Sequence, residues 1–159
     1  MKNLRCTALV LSAALLALAA CAPRPRTVKL TYGQHDIQKQ FDTLYNSQQT
    51  SAGFYKGFFE QALATCHHEK DSAVRQDVMS SMYLDTTTNR YNCITSTVFS
   101  FPGGTVTASG VFSMTPGDTI APDHDFPVTG GSAGYAGVSG RYTRKYEGGV
   151  YYVELTLKQ

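Results

Sequence analysis

Phe126-Pro-Val-Thr-Gly-Gly-Ser-Ala-Gly-Tyr-Ala-Gly-Val-Ser-Gly140 places five glycines, Gly130, Gly131, Gly134, Gly137 and Gly140, within eleven residues. Glycine reaches backbone angles closed to other residues and lets two backbones approach closely. A short apolar run precedes the cluster and a strand-like run, Val138–Glu147, follows it. The segment therefore joins strand to strand. A phosphate-cradling loop would instead open a helix and end in Gly-Lys-Ser or Gly-Lys-Thr, neither of which is present. The glycines read as architecture: a looped connection inside a tightly curved sheet.

Strand signals continue on both sides. In Val150–Leu157, Tyr151, Val153, Leu155 and Leu157 share one parity, and Glu154, Thr156 and Lys158 lie opposite. Upstream, Val74, Val78, Met82 and Leu84 alternate against Arg75, Asp77 and Ser81. A period of two with one apolar face marks a half-buried antiparallel strand. Further strands are expected at Thr27–Tyr32, Phe54–Thr65, Tyr91–Phe101, Thr105–Phe112 and Asp125–Thr129. Pro102-Gly103-Gly104, Pro116-Gly117-Asp118 and Gly148-Gly149 supply turns between them. Residues 34–48 read both ways. Ile37, Phe41, Leu44 and Tyr45 have helical spacing, yet Phe41, Thr43 and Tyr45 alternate. A turn of helix at Asp36–Lys39 leading into a strand at Gln40–Asn46 reconciles the two. Many short strands in series give an all-β fold, a sandwich or an up-and-down barrel.

The glycine-rich segment resembles the signature of the allene oxide cyclase and dirigent barrel superfamily: an apolar strand, Thr-Gly-Gly-Thr-Gly, an aromatic, and Gly-x-x-Gly before the next strand. Ser132 and Ala133 depart mildly from that pattern. Gly103-Gly104-Thr-Val-Thr-Ala-Ser-Gly110 is similar to the family's glycine–strand–glycine segment. Ala52-Gly53, a strand ending at Cys66, and Cys93 resemble bacterial members with paired cysteines. The match spans roughly residues 51 to 147 and is strongest in its last third. The resemblance implies a closed eight-stranded antiparallel up-and-down barrel, often trimeric, whose apolar cavity folds a flexible substrate into one geometry. It carries no catalytic residue onto this chain position by position.

The first twenty residues read as an export signal. Lys2 and Arg5 precede an apolar run, Thr7–Ala20, too short for a permanent span. Leu18-Ala19-Ala20-Cys21 resembles the lipobox of bacterial lipoproteins, which implies lipidation of Cys21. Several acyl chains on one residue anchor durably. Ala22 at the next position, where Asp would favour inner-membrane retention, points to the periplasmic leaflet of a Gram-negative outer membrane. Residues 21–27 form a Pro/Arg tether that prolines keep extended, and 28–159 form the single domain. Without Lys2 and Arg5 the chain carries 12 basic and 12 acidic residues, so nothing indicates a nucleic-acid partner.

Removing the signal and lipidating Cys21 leaves Cys66 and Cys93, which an oxidising compartment would pair. A bridge over 27 residues would be worth about 3 kcal/mol in the chain-entropy model. Cys66-His67-His68-Glu69 offers metal-ligand types, but neighbours on a strand point to opposite faces. No metal or cofactor site is indicated. Glu60 shares parity with Phe54, Phe58, Ala62 and Ala64, and Arg144 with Val138, Tyr142 and Tyr146. A charge among apolar neighbours is a candidate for orienting a ligand in a cavity. The plainer expectation is a strand end from which the charge reaches solvent. Asp123-His124-Asp125 beside Pro122 reads as a solvated turn, and His35 has no evident partner.

The function expected is that of an envelope lipoprotein whose barrel binds a small lipophilic ligand or a partner protein, as a monomer or a homo-oligomer. The alternative is a cyclase or isomerase using the cavity as a mould. No catalytic set is legible. The barrel interior discriminates: tightly filled for a structural role, open and apolar for binding, open with one buried charge pair for catalysis.

Overall fold

The computed structural model of the protein describes residues 25–68 and 73–159. The signal segment, Cys21, most of the tether and Glu69 lie outside them.

The alternating segments form nine strands: β1 (Arg26–Gly33), β2 (Ile37–Gln49), β3 (Tyr55–His68), β4 (Ala73–Asp85), β5 (Arg90–Phe101), β6 (Gly104–Met114), β7 (His124–Gly131), β8 (Ser139–Glu147) and β9 (Val150–Lys158). From β3 to β9 each strand pairs antiparallel with the next. β9 then pairs with β1, and β1 meets β3 through Leu30↔His68 and Thr31↔His67. Eight strands close into a ring, as the sequence reading expects. Closure hides apolar faces inside and leaves no sheet edge within the ring.

The ninth strand, β2, resolves the ambiguous stretch. One 3-10 turn, Gln34–Asp36, sits earlier than the expected turn at Asp36–Lys39, and the strand after it is longer than Gln40–Asn46. The Asp36 carboxylate accepts the Gly33 N–H at 2.8 Å and pins this turn. β2 then continues the line of β1 along β3, from Ile37↔Ala64 to Gln49↔Tyr55. The barrel is thereby uneven. β1, β7, β8 and β9 have eight or nine residues, whereas β3 to β6 have eleven to fourteen. β9 begins opposite Gly33, and the β6–β7 ladder covers only Val106 to Ala108. The upper end is a mouth between a tall and a short wall. The 115–123 loop enters this mouth, with Gly117 beside the Phe54 ring.

The lower half is filled. Leu30, Phe99, Val106, Tyr142 and Leu155 are almost wholly buried there, and Tyr142 meets Phe99 edge-on at 5.4 Å. Gln76 is also fully buried. Its Nε2 donates to Thr97 Oγ1 at 2.9 Å and to the Tyr142 hydroxyl at 3.4 Å, while its Oε1 accepts from Cys66 Sγ. Among the described residues no buried side-chain nitrogen or oxygen lacks a partner, as a stable interior requires.

Two glycines of the 130–140 cluster show why it is there. Gly140 has φ +148°, and a Cβ on it would overlap the Thr156 carbonyl of β9. A Cβ on Gly131 would crowd the Tyr135 and Thr105 carbonyl oxygens. Gly130, by contrast, has open space around it.

The expected Cys66–Cys93 bridge is not formed, and both thiols are free and buried. Cys66 pairs with Val74 at one end of β4, whereas Cys93 pairs with Met82, eight residues further along it. At ~3.3 Å per residue that is about 26 Å, against the ~7 Å limit between bridged Cα atoms. Burial pushes the Cys66 thiol up to about 12 and the Cys93 thiol up to about 11. Neither has thiolate character at neutral pH.

Candidate ligand cavity in the upper barrel

The open half of the barrel has two adjoining compartments. An outer one of about 540 Å³ lies at the mouth, lined by Phe54, Phe58, Tyr91 and Met114 among others. A deeper chamber of about 190 Å³ has Tyr32, Ala62, Val78, Phe112, His124 and Arg144 in its wall. Glu60, Met82, Thr119 and Ala121 border both, so they form the neck. Strand parity supplies the inward side chains of β3 and β4, and the 115–123 loop supplies the other side. Apolar walls with a few polar groups are what a small-molecule site requires.

Arg144 and His124 stand directly opposite each other on β8 and β7. Arg144 is only 8 % exposed, which overturns the plainer expectation of a strand-end charge reaching solvent. Its Nη2 donates to the Pro122 and Ala121 carbonyls at 3.1 and 3.4 Å, and it lies 3.1 Å from His124 Nε2. The guanidinium also sits 5.1 Å from the centre of the Tyr151 ring, a favourable cation–π placement. Among the described residues no carboxylate lies within ion-pair distance of it. Arg141 pairs instead with Asp125, Arg75 with Asp77 and Lys39 with Glu60, all at exposed or partly exposed positions.

His124 corrects the reading of a solvated turn. Its ring stacks on Phe126 at 4.5 Å and meets Phe112 at a tilt at 4.8 Å, and it is buried. Desolvation first, and the Arg144 charge second, hold it down to about 3. It is neutral at physiological pH. Because a guanidinium only donates, Nε2 is the acceptor and the ring proton sits on Nδ1. His124, Phe126 and Val128 share one inward parity, the signal that Pro122 and two flanking aspartates concealed.

Tyr32 and Tyr151 were not singled out by sequence, although each shares parity with the apolar residues of its strand. They pair across β1 and β9 with rings stacked 4.7 Å apart, and both line the chamber. Burial raises both phenols above the ordinary tyrosine range, so they remain hydrogen-bond donors. Of the sequence candidates, Glu60 and Arg144 face the same chamber. Tyr142 lies in the filled core below it, pushed up to about 12 by burial. Tyr146 packs on Tyr151 at 4.6 Å without lining the chamber. Glu60 is held at the neck by Lys39, 2.8 Å away.

A larger concavity, about 740 Å³, lies on the outer face of β1, β8 and β9, between Lys29, His67, His68, Arg141 and Lys145. It is an outer sheet surface and shares no lining residue with the two compartments of the upper barrel. His35 and His67 both lie 3.5 Å from Asp36, which gives His35 the partner its sequence context did not reveal. Among the described residues no cluster of three His, Cys, Asp or Glu could hold a metal ion.

No protein-family model matches this sequence. No curated protein matches it either. Among solved structures it is similar to one titled pyocyanin demethylase, with a TM-score of 0.57 and 15 % identity over 84 % of this chain and 100 % of that one. That likeness concerns the barrel fold.

Proposed function

We propose that this protein is a lipid-anchored envelope lipoprotein whose barrel holds a small, largely apolar ligand. The observation that carries the reading is the division of the interior. The lower half is packed with Phe99, Tyr142 and Leu155, whereas the upper half holds a mouth compartment and a deeper chamber that share Glu60, Met82, Thr119 and Ala121. A barrel with a purely structural role gains nothing from that opening, since an empty apolar cavity forfeits packing. Glu60 is tied to Lys39 at the neck instead of forming a buried pair with Arg144. That supports binding over turnover.

Anchoring through Cys21 gives the cavity an orientation. β1 starts at Arg26, beside Gly103, Gly134 and Gln159 at the lower end. The mouth, with Phe54 and the 115–118 turn, lies at the other end. A tether of four residues, 22–25, reaches about 12 Å when extended. The mouth therefore faces away from the anchoring membrane and takes its ligand from the aqueous space.

Native mass spectrometry of the full chain released from its own membranes tests this. A mass increment that survives gentle ionisation and is lost on unfolding is the expected result. A bare polypeptide mass, together with no fluorescence enhancement of the apolar dye N-phenyl-1-naphthylamine, overturns it.

A further inference from the structure

We propose that the chamber floor is an oxyanion seat in which Arg144 receives the carboxylate of a small, mostly apolar organic acid. This rests on the cavity being a ligand site, and adds the chemistry of the ligand's head.

The argument starts from charge. Burying a guanidinium is costly unless an anion or a full set of acceptors compensates it. Arg144 is buried and has no carboxylate in reach among the described residues. Three neutral acceptors serve it, the Ala121 and Pro122 carbonyls and His124 Nε2, and all three are met by Nη2. Tyr32 adds a further side-chain hydrogen bond to the guanidinium. All of these partners are neutral, so the charge itself is unpaired, and Arg144 stands with Tyr32 in the chamber wall. A guanidinium is a planar fork that fits a carboxylate.

The surroundings complete the seat. Tyr32 and Tyr151 line the same chamber and keep their hydroxyl protons, Tyr32 bonded to Arg144 and Tyr151 to the Gln34 side chain. His124 is neutral, so it orients Arg144 without adding charge. Glu60, the chamber's carboxylate, sits at the neck and is offset by Lys39. A chamber of about 190 Å³ takes the head and first carbons of the acid. The remaining chain passes Met82 into the outer compartment, against Phe58 and Tyr91. The competing role is a staple: Arg144 would merely fasten the 121–122 segment to β8. A staple gives no preference between an acid and its alcohol.

The test is displacement of N-phenyl-1-naphthylamine by decanoate and by decan-1-ol, which share a chain and differ in the head. In the wild type, decanoate is expected to displace the dye at a tenfold or lower concentration than decanol, since hydrogen bonds to charged groups bring about tenfold or more. Arg144→Gln abolishes that preference, read as the ratio of the two displacing concentrations; Arg144→Lys, which keeps the charge and loses the fork, retains part of it. Equal displacement by the two compounds in the wild type overturns the oxyanion seat and leaves the cavity reading standing. Failure of the dye to bind overturns the cavity reading itself, and the seat with it. The wild-type comparison decides even if Arg144→Gln does not fold.

Discussion

Protonation of His124 couples folding to pH, and the size of the effect follows from its surroundings. The ring lies between Phe112 and Phe126, accepts a hydrogen bond from Arg144 and titrates at about 3, against an ordinary value of 6.5. Between those values the unfolded chain binds one proton more than the native protein. Stability contributed by the neutral ring is therefore complete above 6.5 and falls as pH drops towards 3. At pH 5 the native ring is still neutral, so the loss is set by the 1.5 units below 6.5, about 2 kcal/mol at 1.36 kcal/mol per unit. His124→Gln is the matched variant, because the amide oxygen can replace Nε2 as the acceptor for Arg144 and does not titrate. Urea denaturation of both proteins at pH 7.5 and pH 5.0 measures the effect. The wild type should lose about 2 kcal/mol more than the variant, and contributions common to both cancel. Equal losses in the two proteins refute a buried neutral His124.

Other substitutions probe the frame. Gly140→Ala combines φ +148° with overlap on the Thr156 carbonyl and should cost about 2 kcal/mol or more in urea denaturation; Gly130→Ala, with open space around it, should stay within about 0.5 kcal/mol. Phe99→Ala removes a fully buried ring from the lower core, with an expected loss of about 3–5 kcal/mol by the same assay. Arg141→Ala breaks only an exposed pair with Asp125, so its urea midpoint should stay at the wild-type value. Cys66 and Cys93 should resist a thiol reagent until the protein unfolds, and a mass 2 Da higher after reduction would contradict the free thiols.

The sequence carried the strands well because each strand has one face in the barrel. Tyr151, Val153, Leu155 and Leu157 alternate cleanly, and all four are buried. It also placed Glu60 and Arg144 on the inward face. Depth along the barrel axis was not legible. Whether an inward Arg144 ends in solvent or under a loop depends on how the 115–123 segment folds over the short wall. The spacing of Cys66 and Cys93 is likewise silent on register, and an eight-residue offset along β4 separates them. His124 was hidden by its neighbours: Asp123 and Asp125 are outward and exposed, and their polarity masked the inward ring between them.

Methyl NMR tests the binding cavity most directly, because the methionines report from both faces of the wall. Met82 lines both compartments and Met114 the outer one, whereas Met79 points outward from β4 and is 42 % exposed. In protein labelled at the methionine methyls, titration with decanoate should shift the Met82 and Met114 signals in a saturable manner and leave Met79 in place. Saturable shifts of Met79 alone, or no saturable shift at any of the three, contradict a ligand cavity in the upper barrel.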